Sequence, residues 1–373
     1  MRRRFKIAAL YAGGLLGPLG GGVVAPMLPQ IGGSVHASSS AVATSLTAYF
    51  VPFAVLQLAS GTLGERWGVR RTVQVAYLVY ALASAGCALA PTLPAFLAGR
   101  ALMGGANAFT SPLLLAGLGA AVPPGRLSRS VGIYSSFQAA GQSFAPLLGG
   151  VAAVWSWRLG FVVVAATAVL LAFAPPPGDA RPGAEAPEWR PLLSGRIGLL
   201  SAGAFLSYIC ASALPFLVAL YAGDALSLRP DLTGLALVGF GVAGLLLGSV
   251  WGSVTDRFGP RVCGVLATVA TAAFVAAIGR TGSVPALIVC WTAAGAGASM
   301  LTVALQNLTM RAVPGNRGGA LSAVSAFRFA GAALAPVAWL PLYHAAPSRA
   351  FGAAGASLLL AVPALRATGR ADH

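Results

Sequence analysis

Charge is what this sequence has least of. Of its 373 residues only 9% are Asp, Glu, Lys or Arg, where soluble domains carry roughly 25%. A soluble protein of this length would have to expose more polar surface than the chain can supply. Acids number eight, histidines three and cysteines four, and lysine occurs once. Cys87, Cys210, Cys263 and Cys290 all fall inside apolar runs without CxxC spacing, so neither a disulfide nor a metal site is expected. His36 and His344 fall in outer loops and His373 is the last residue. There is no GxxxxGK[ST], which argues against ATP drive by this chain. No HExxH, no GxSxG and no paired carboxylates within a run supply an enzyme's acid, base or nucleophile set.

What is present is apolar sequence in runs. Hydrophobic residues make up 57% of the chain. They recur in stretches of about 20, the length of helix that crosses a hydrocarbon layer of ~30 Å. Backbone in lipid must satisfy its own hydrogen bonds, so such runs read as helices. The short alternating segments of a transmembrane barrel are not found. Twelve spans are expected near 6–29, 41–63, 72–90, 94–121, 130–154, 159–174, 197–221, 232–254, 262–279, 284–310, 319–342 and 350–365, the sixth and twelfth being short. The first follows basic residues, and Val35-His36-Ala37 resembles a signal-peptide cleavage site. Its length and the eleven spans after it favour a retained helix.

The net charge of +16 alternates with the spans rather than clustering as a nucleic-acid patch would. Counted from a cytoplasmic N-terminus, eighteen of the 24 basic residues fall in inside segments and four, Arg158, Arg229, Arg280 and Arg349, outside. Arg100 and Arg328 remain inside spans. That asymmetry places both termini in the cytoplasm.

One polar stretch, from Pro175 to Arg196, divides the chain near its middle. The expected organisation is a six-helix half over 1–175, a cytoplasmic loop over 176–196 and a second six-helix half over 197–373. The halves repeat. Residues 137–146 (FQAAGQSFAP) align without gaps to 327–336 (FRFAGAALAP) at a shift of 190. Residues 61–68 (GTLGERWG) align to 252–259 (GSVTDRFG), and 103–106 to 294–297, both at 191. Duplicated six-helix halves are the architecture of one large transporter class, with its site near mid-membrane.

The motifs carry a family resemblance. Gly61-x-x-x-Glu65-Arg66-x-Gly68-x-Arg70-Arg71 resembles the major facilitator loop signature after the second span. A weaker copy, Gly252-x-x-x-Asp256-Arg257-x-Gly259-x-Arg261, follows the eighth. Arg100-x-x-Met103-Gly104-x-Ala106 is similar to the fourth-span motif, with Met103 where Gln is usual. Gly141-x-x-x-Ala145-Pro146-x-x-Gly149-Gly150 resembles the fifth-span motif of exporters, with Ala145 where Gly is usual. Residues 23–29 (VVAPMLP), and Trp157-Arg158 with Phe161, look like the drug/proton antiporters, the multidrug efflux families. The resemblance covers the whole chain. It implies an all-α integral membrane fold of twelve transmembrane helices in two pseudo-symmetric six-helix halves, in a bacterial inner membrane, with no cofactor.

Each motif also has a physical reading. Glycines allow close approach and tight turning in a short loop. Glu65 can sit at the positive end of a facing helix and pair with an arginine, forming a gate that favours one of two states. The plainer reading is topological, the arginines simply holding the loop inside. Gly141 and Ala145 share a face that lets helices pack closely, either as packing alone or with a role in export.

Ionisable groups inside spans are functional candidates because insertion costs ~2.5–3.5 kcal/mol or more. Arg328, near the middle of span eleven, is expected to face the central cavity or to bond neighbouring carbonyls. Arg100 is expected to aid proton transfer, as the resemblance implies, or to act structurally. No acid falls mid-span. Drug/proton antiporters often carry one in the first span, at the place taken here by Gly20. A carboxylate-based proton carrier is therefore not supported, and a cavity with Arg328 alone disfavours cations. Tyr49, Asn107, Ser135, Gln138, Gln142, Tyr208, Gln306 and Asn307 are candidates to line a substrate cavity, or to bond between helices.

Three functions remain open. The first is proton-linked efflux of small drug-like or metabolite molecules by a monomer in the bilayer. The second is an uncoupled facilitator or anion exporter using Arg328. The third is a membrane enzyme or scaffold.

Overall fold

A computed structural model describes residues 2–174, 188–228 and 230–367. Most of the expected central loop, 175–187, lies outside these, as do Arg229 and His373. Among the described residues there is helix and no strand. The first span is α1 (Arg2–Gly22) with α2 (Leu28–Val35), then α3 (Ser39–Trp67) and α4 (Val69–Leu89). The fourth is α5 (Leu93–Ala108) with α6 (Ser111–Ala121), followed by α7 (Leu127–Trp155) and α8 (Trp157–Ala172). The seventh is α9 (Gly195–Ala211) with α10 (Leu214–Asp224), then α11 (Pro230–Phe258), α12 (Pro260–Ile278), α13 (Val284–Ala312) and α14 (Arg317–Ala345). The twelfth is α15 (Pro347–Leu359) with α16 (Ala361–Ala367). Among the described residues, eight stretches meet the length and hydropathy of a bilayer span, and Ile7–Gly22, Trp157–Ala172 and Gly195–Ala211 are shorter apolar helices.

Four spans expected to run unbroken are interrupted, and the cause is the same each time. Proline has no N–H for the carbonyl four residues back, and its ring crowds that carbonyl. Pro26 stands four residues beyond Gly22, where α1 ends; Pro112 stands four beyond Ala108, where α5 ends. Pro215 bears the same relation to Ala211, the end of α9, and Pro363 to Leu359, the end of α15. The first and seventh spans, partners in the repeat, therefore share a break. Pro18, Pro52 and Pro146 stay inside continuous helices.

Other helix ends have side-chain or glycine signals. The Ser38 hydroxyl accepts from the Ala41 N–H at the start of α3, and Ser283 does the same for Ala286 at α13. Gly68 and Gly259 close α3 and α11 with φ of 92° and 84°. These positive angles suit only glycine, and the two lie 191 residues apart.

The chain divides into two compact units. One comprises Met1–Val122, Phe137–Trp189 and Gly315–Ser322. The other comprises Pro123–Ser136, Arg190–Pro314 and Ala323–His373. Helix α7 thus begins in the second unit and continues in the first, and α14 does the reverse. Apart from these two short segments, the units follow the halves of the sequence repeat.

Within each unit helices touch through glycine. In the first, a methyl on Gly104 would run into the Tyr49 carbonyl, and one on Gly141 into the Leu15 carbonyl. In the second, Gly295 lies against the Phe240 backbone and Gly331 against the Phe205 carbonyl. Each pair recurs at the repeat shift, so the duplication extends to individual backbone contacts. The outward faces are apolar: Leu82, Leu89, Val154 and Phe173 stand 74% to 81% exposed. Hydrocarbon is the solvent that accepts such a surface.

Candidate functional site

The loop motif places its acid on a helix end. In the first unit, the Gly318 N–H at the start of α14 donates to Glu65 Oε1. The first turn of a helix has N–H groups with no intrahelical acceptor and carries partial positive charge, so a carboxylate there is stabilised twice. Gly61, one turn earlier on α3, is bare where the Gly318 carbonyl passes, and its N–H donates to Ser322 Oγ at 2.8 Å. Ser60 Oγ donates to the Ala108 carbonyl at 2.7 Å and lies 3.1 Å from Ser322 Oγ. Asn316 completes the patch: its Nδ2 donates to Thr62 Oγ1 and the Glu188 carbonyl, both at 3.0 Å, and its Oδ1 accepts from the Gly319 N–H at 2.9 Å.

The weaker copy does the same in the second unit. Asp256 Oδ1 accepts from the Ser128 N–H at 3.0 Å and Oδ2 from the Arg129 N–H at 2.9 Å, at the start of α7. Gly252 is bare where the Ser128 carbonyl passes. Ser128 and Gly318 are 190 residues apart, as Glu65 and Asp256 are 191. The two carboxylate caps are one contact made twice. Glu65 takes one backbone N–H, that of Gly318, and also feels the charge of Arg317 at the same helix start. Arg66, Arg70, Arg71 and Arg257 stand exposed, with Arg257 over the Phe258 ring, and Arg261 is half-buried.

Arg100 is fully buried in the first unit. Its Nη1 donates to the Gly20 carbonyl at 2.8 Å and its Nη2 to the Gly21 carbonyl at 3.2 Å. Those carbonyls lie at the end of α1, where the Pro26 break leaves them without intrahelical partners. The guanidinium also lies 4.5 Å from the Tyr49 ring. Tyr49 in turn donates to the Gly17 carbonyl at 3.3 Å and meets the Tyr80 hydroxyl at 3.4 Å. At Gly20, the place where drug/proton antiporters often carry an acid, the space is taken by the Tyr80 hydroxyl. Gly17 gives room to the Asn107 amide, whose Oδ1 accepts from Thr110 at 2.9 Å.

The fifth-span motif faces α1. Gly141 meets the Leu15 carbonyl, Ala145 is buried against Gly22, and Gly149 meets the Val23 carbonyl and Pro26, while Gly150 faces open space. Pro146 lies in unbroken helix. Among the candidate cavity residues, Gln306 Oε1 accepts from Ser135 Oγ at 3.0 Å in the second unit, and Asn307 Oδ1 accepts from Ser128 Oγ at 3.0 Å. Gln138 is half-buried and Gln142 exposed.

Arg328, in the second unit, is held by rings. Its guanidinium carbon lies 4.7 Å from the Tyr208 ring centre and 5.0 Å from that of Phe329. Its Nε is buried and has no hydrogen-bond partner among the described residues. Among the described residues no contact to the carbonyl of a neighbouring helix stands in for one. Sequence reading missed Asn316, Ser322 and Tyr80. The two at the start of α14 were within reach of the repeat, since Gly318 aligns with Ser128.

A profile of the Major Facilitator Superfamily matches residues 10–202 and again 200–371. The chain belongs to that superfamily. It is 30% identical to the multidrug efflux protein YfmO of Bacillus subtilis over 348 residues, 85% of this chain and 81% of that one. It is 31% identical to the tetracenomycin C resistance and export protein of Streptomyces glaucescens over 144 residues, 39% of this chain. It is 29% identical to the MFS antiporter QDR3 of Candida albicans over 164 residues, 43% of this chain. The matches span 27% and 24% of those two proteins. Among solved structures, the Escherichia coli fucose:proton symporter FucP superposes with a TM-score of 0.83 at 13% identity, covering 99% of this chain and all of that one. The human organic anion transporter MFSD10 superposes at 0.76 and 17%, covering 97% of this chain and 99% of that one. The fold is therefore that of a twelve-helix major facilitator transporter, a multi-pass membrane protein and not an enzyme.

Proposed function

We propose that this transporter exports small, largely apolar molecules from a bacterial cell by alternating access, exchanging them for protons. The observation that carries the reading is the pair of reciprocal carboxylate caps on α7 and α14. Each is a two-state contact: a carboxylate either sits on the helix end or does not, and its departure frees the first turn of a long helix. Protonation of Glu65 or Asp256 removes the charge that the helix end attracts. That gives protons a place to act although no acid lies mid-span. The names of YfmO and of the tetracenomycin protein support export, as does the Gly141-to-Gly150 motif. The basic residues of the loops support cytoplasmic termini in an inner membrane, and the protein is expected to act as a monomer.

Inside-out vesicles carrying a tag at each terminus test this directly. Both tags are expected to be open to protease. An imposed proton gradient is expected to drive dye accumulation, with release when it is collapsed. Gradient-independent flux of the same dyes would leave the facilitator reading in its place.

A further inference from the structure

We propose that Arg328, with Tyr208 and Phe329, binds the carboxylate of an amphipathic organic acid, and that such acids are a substrate class of the exporter. The inference rests on the transport reading for its functional half and on geometry for its binding half. A guanidinium is planar, with all its N–H donors in the plane. The Tyr208 and Phe329 rings, 4.7 and 5.0 Å from its carbon, are π contacts that use none of those donors as hydrogen bonds. Nε, one of the in-plane donors, is buried and unpaired among the described residues. A planar edge with paired donors matches a carboxylate in the bidentate form.

Depth supports the same conclusion. Arg328 follows the first residue of α14 by eleven positions, a rise of about 16 Å. That is half of a hydrocarbon layer of ~30 Å. The described acids that make bonds are committed elsewhere: Glu65 to Gly318, Asp256 to Ser128 and Arg129, and Asp224 to the Tyr343 hydroxyl. Among the described residues the cation is left with ring contacts alone. The Tyr208 and Phe329 rings, 6.3 Å apart, offer the apolar body of such a ligand a surface beside its charged end. Trp339, which donates to the carbonyl of Ile209 next to Tyr208, is a nearby fluorescent reporter.

The full chain in detergent is titrated with pyrenebutyrate and with pyrenebutanol, its uncharged counterpart, following tryptophan quenching. The same two probes are then followed into vesicles. The expected result is tighter binding of the acid, weakened about tenfold or more in Arg328→Gln, with the alcohol unaffected. Arg328→Lys is expected to recover part of the loss, and Tyr208→Leu to weaken the acid without abolishing it. Both supply the answer if Arg328→Gln does not purify as a folded protein. Equal binding of acid and alcohol by the unaltered chain, or an unchanged affinity for the acid across the variants, would overturn the site. So would displacement of pyrenebutyrate by equimolar chloride, which marks a site for inorganic anions. Selective binding without flux of either probe would leave the site intact and remove the transport reading instead.

Discussion

At the scale of single residues, the buried polar groups act mostly on backbone. Arg100 answers two carbonyls that a proline break leaves open, and Asn316 answers three groups at once. Asn316 is 1% exposed. Asn316→Ala strands the buried Thr62 hydroxyl and Gly319 N–H, at about 1–3 kcal/mol for each buried group left unpaired, and takes from the exposed Glu188 carbonyl its protein donor. Thermal unfolding in detergent is expected to occur at a lower temperature, and proteolysis near Glu188 to quicken. An unaltered melting temperature and cleavage rate would contradict this. The missing first-span acid was legible as Gly20, but the reason was not. The space belongs to a tyrosine sixty positions further on, and only tertiary packing brings the two together.

At the scale of helices, much was readable. Each broken helix stops four residues before a proline, a rule of local chemistry visible in the sequence. Proline alone does not decide, since Pro18, Pro52 and Pro146 lie inside continuous helices. Bilayer helices tolerate proline where neighbours re-satisfy the backbone. The glycine contacts give a graded test. Gly141→Ala and Gly331→Ala each push a methyl into a carbonyl of the facing helix, whereas Gly150→Ala enters open space. The first two are expected to lose about 1–3 kcal/mol by overpacking. The third is expected to be neutral. Melting in detergent distinguishes them, and equal behaviour of all three would mean that the fifth-span motif does not pack as described.

At the scale of the whole molecule, the repeat carries more than architecture. It was readable from three aligned stretches, and it recurs in proline breaks, in positive-φ glycines and in carboxylate caps. What it did not reveal was the partner of each acid, because each acid and the helix start it caps lie more than a hundred residues apart in sequence and meet only in the tertiary fold. Glu65→Gln and Asp256→Asn remove charge while keeping shape. Each should weaken its cap by about 0.3–1 kcal/mol, up to ~2 where burial is substantial, and bias the same conformational equilibrium. The readout is labelling of cysteines placed on the outer and inner sides of the spans. Both single variants are expected to shift the labelling ratio in one direction, and the double variant further. Unchanged ratios would return the loop to a purely topological role. The caps also bear on symmetry. Each half of the sequence carries both parts of the clasp, an acid after its second span and a receptive helix start at its fifth. Two identical copies of one half would therefore satisfy each other, which is the condition for an isologous pair. The duplicated halves thus keep the reciprocity of a symmetric pair, with Glu in one clasp and Asp in the other.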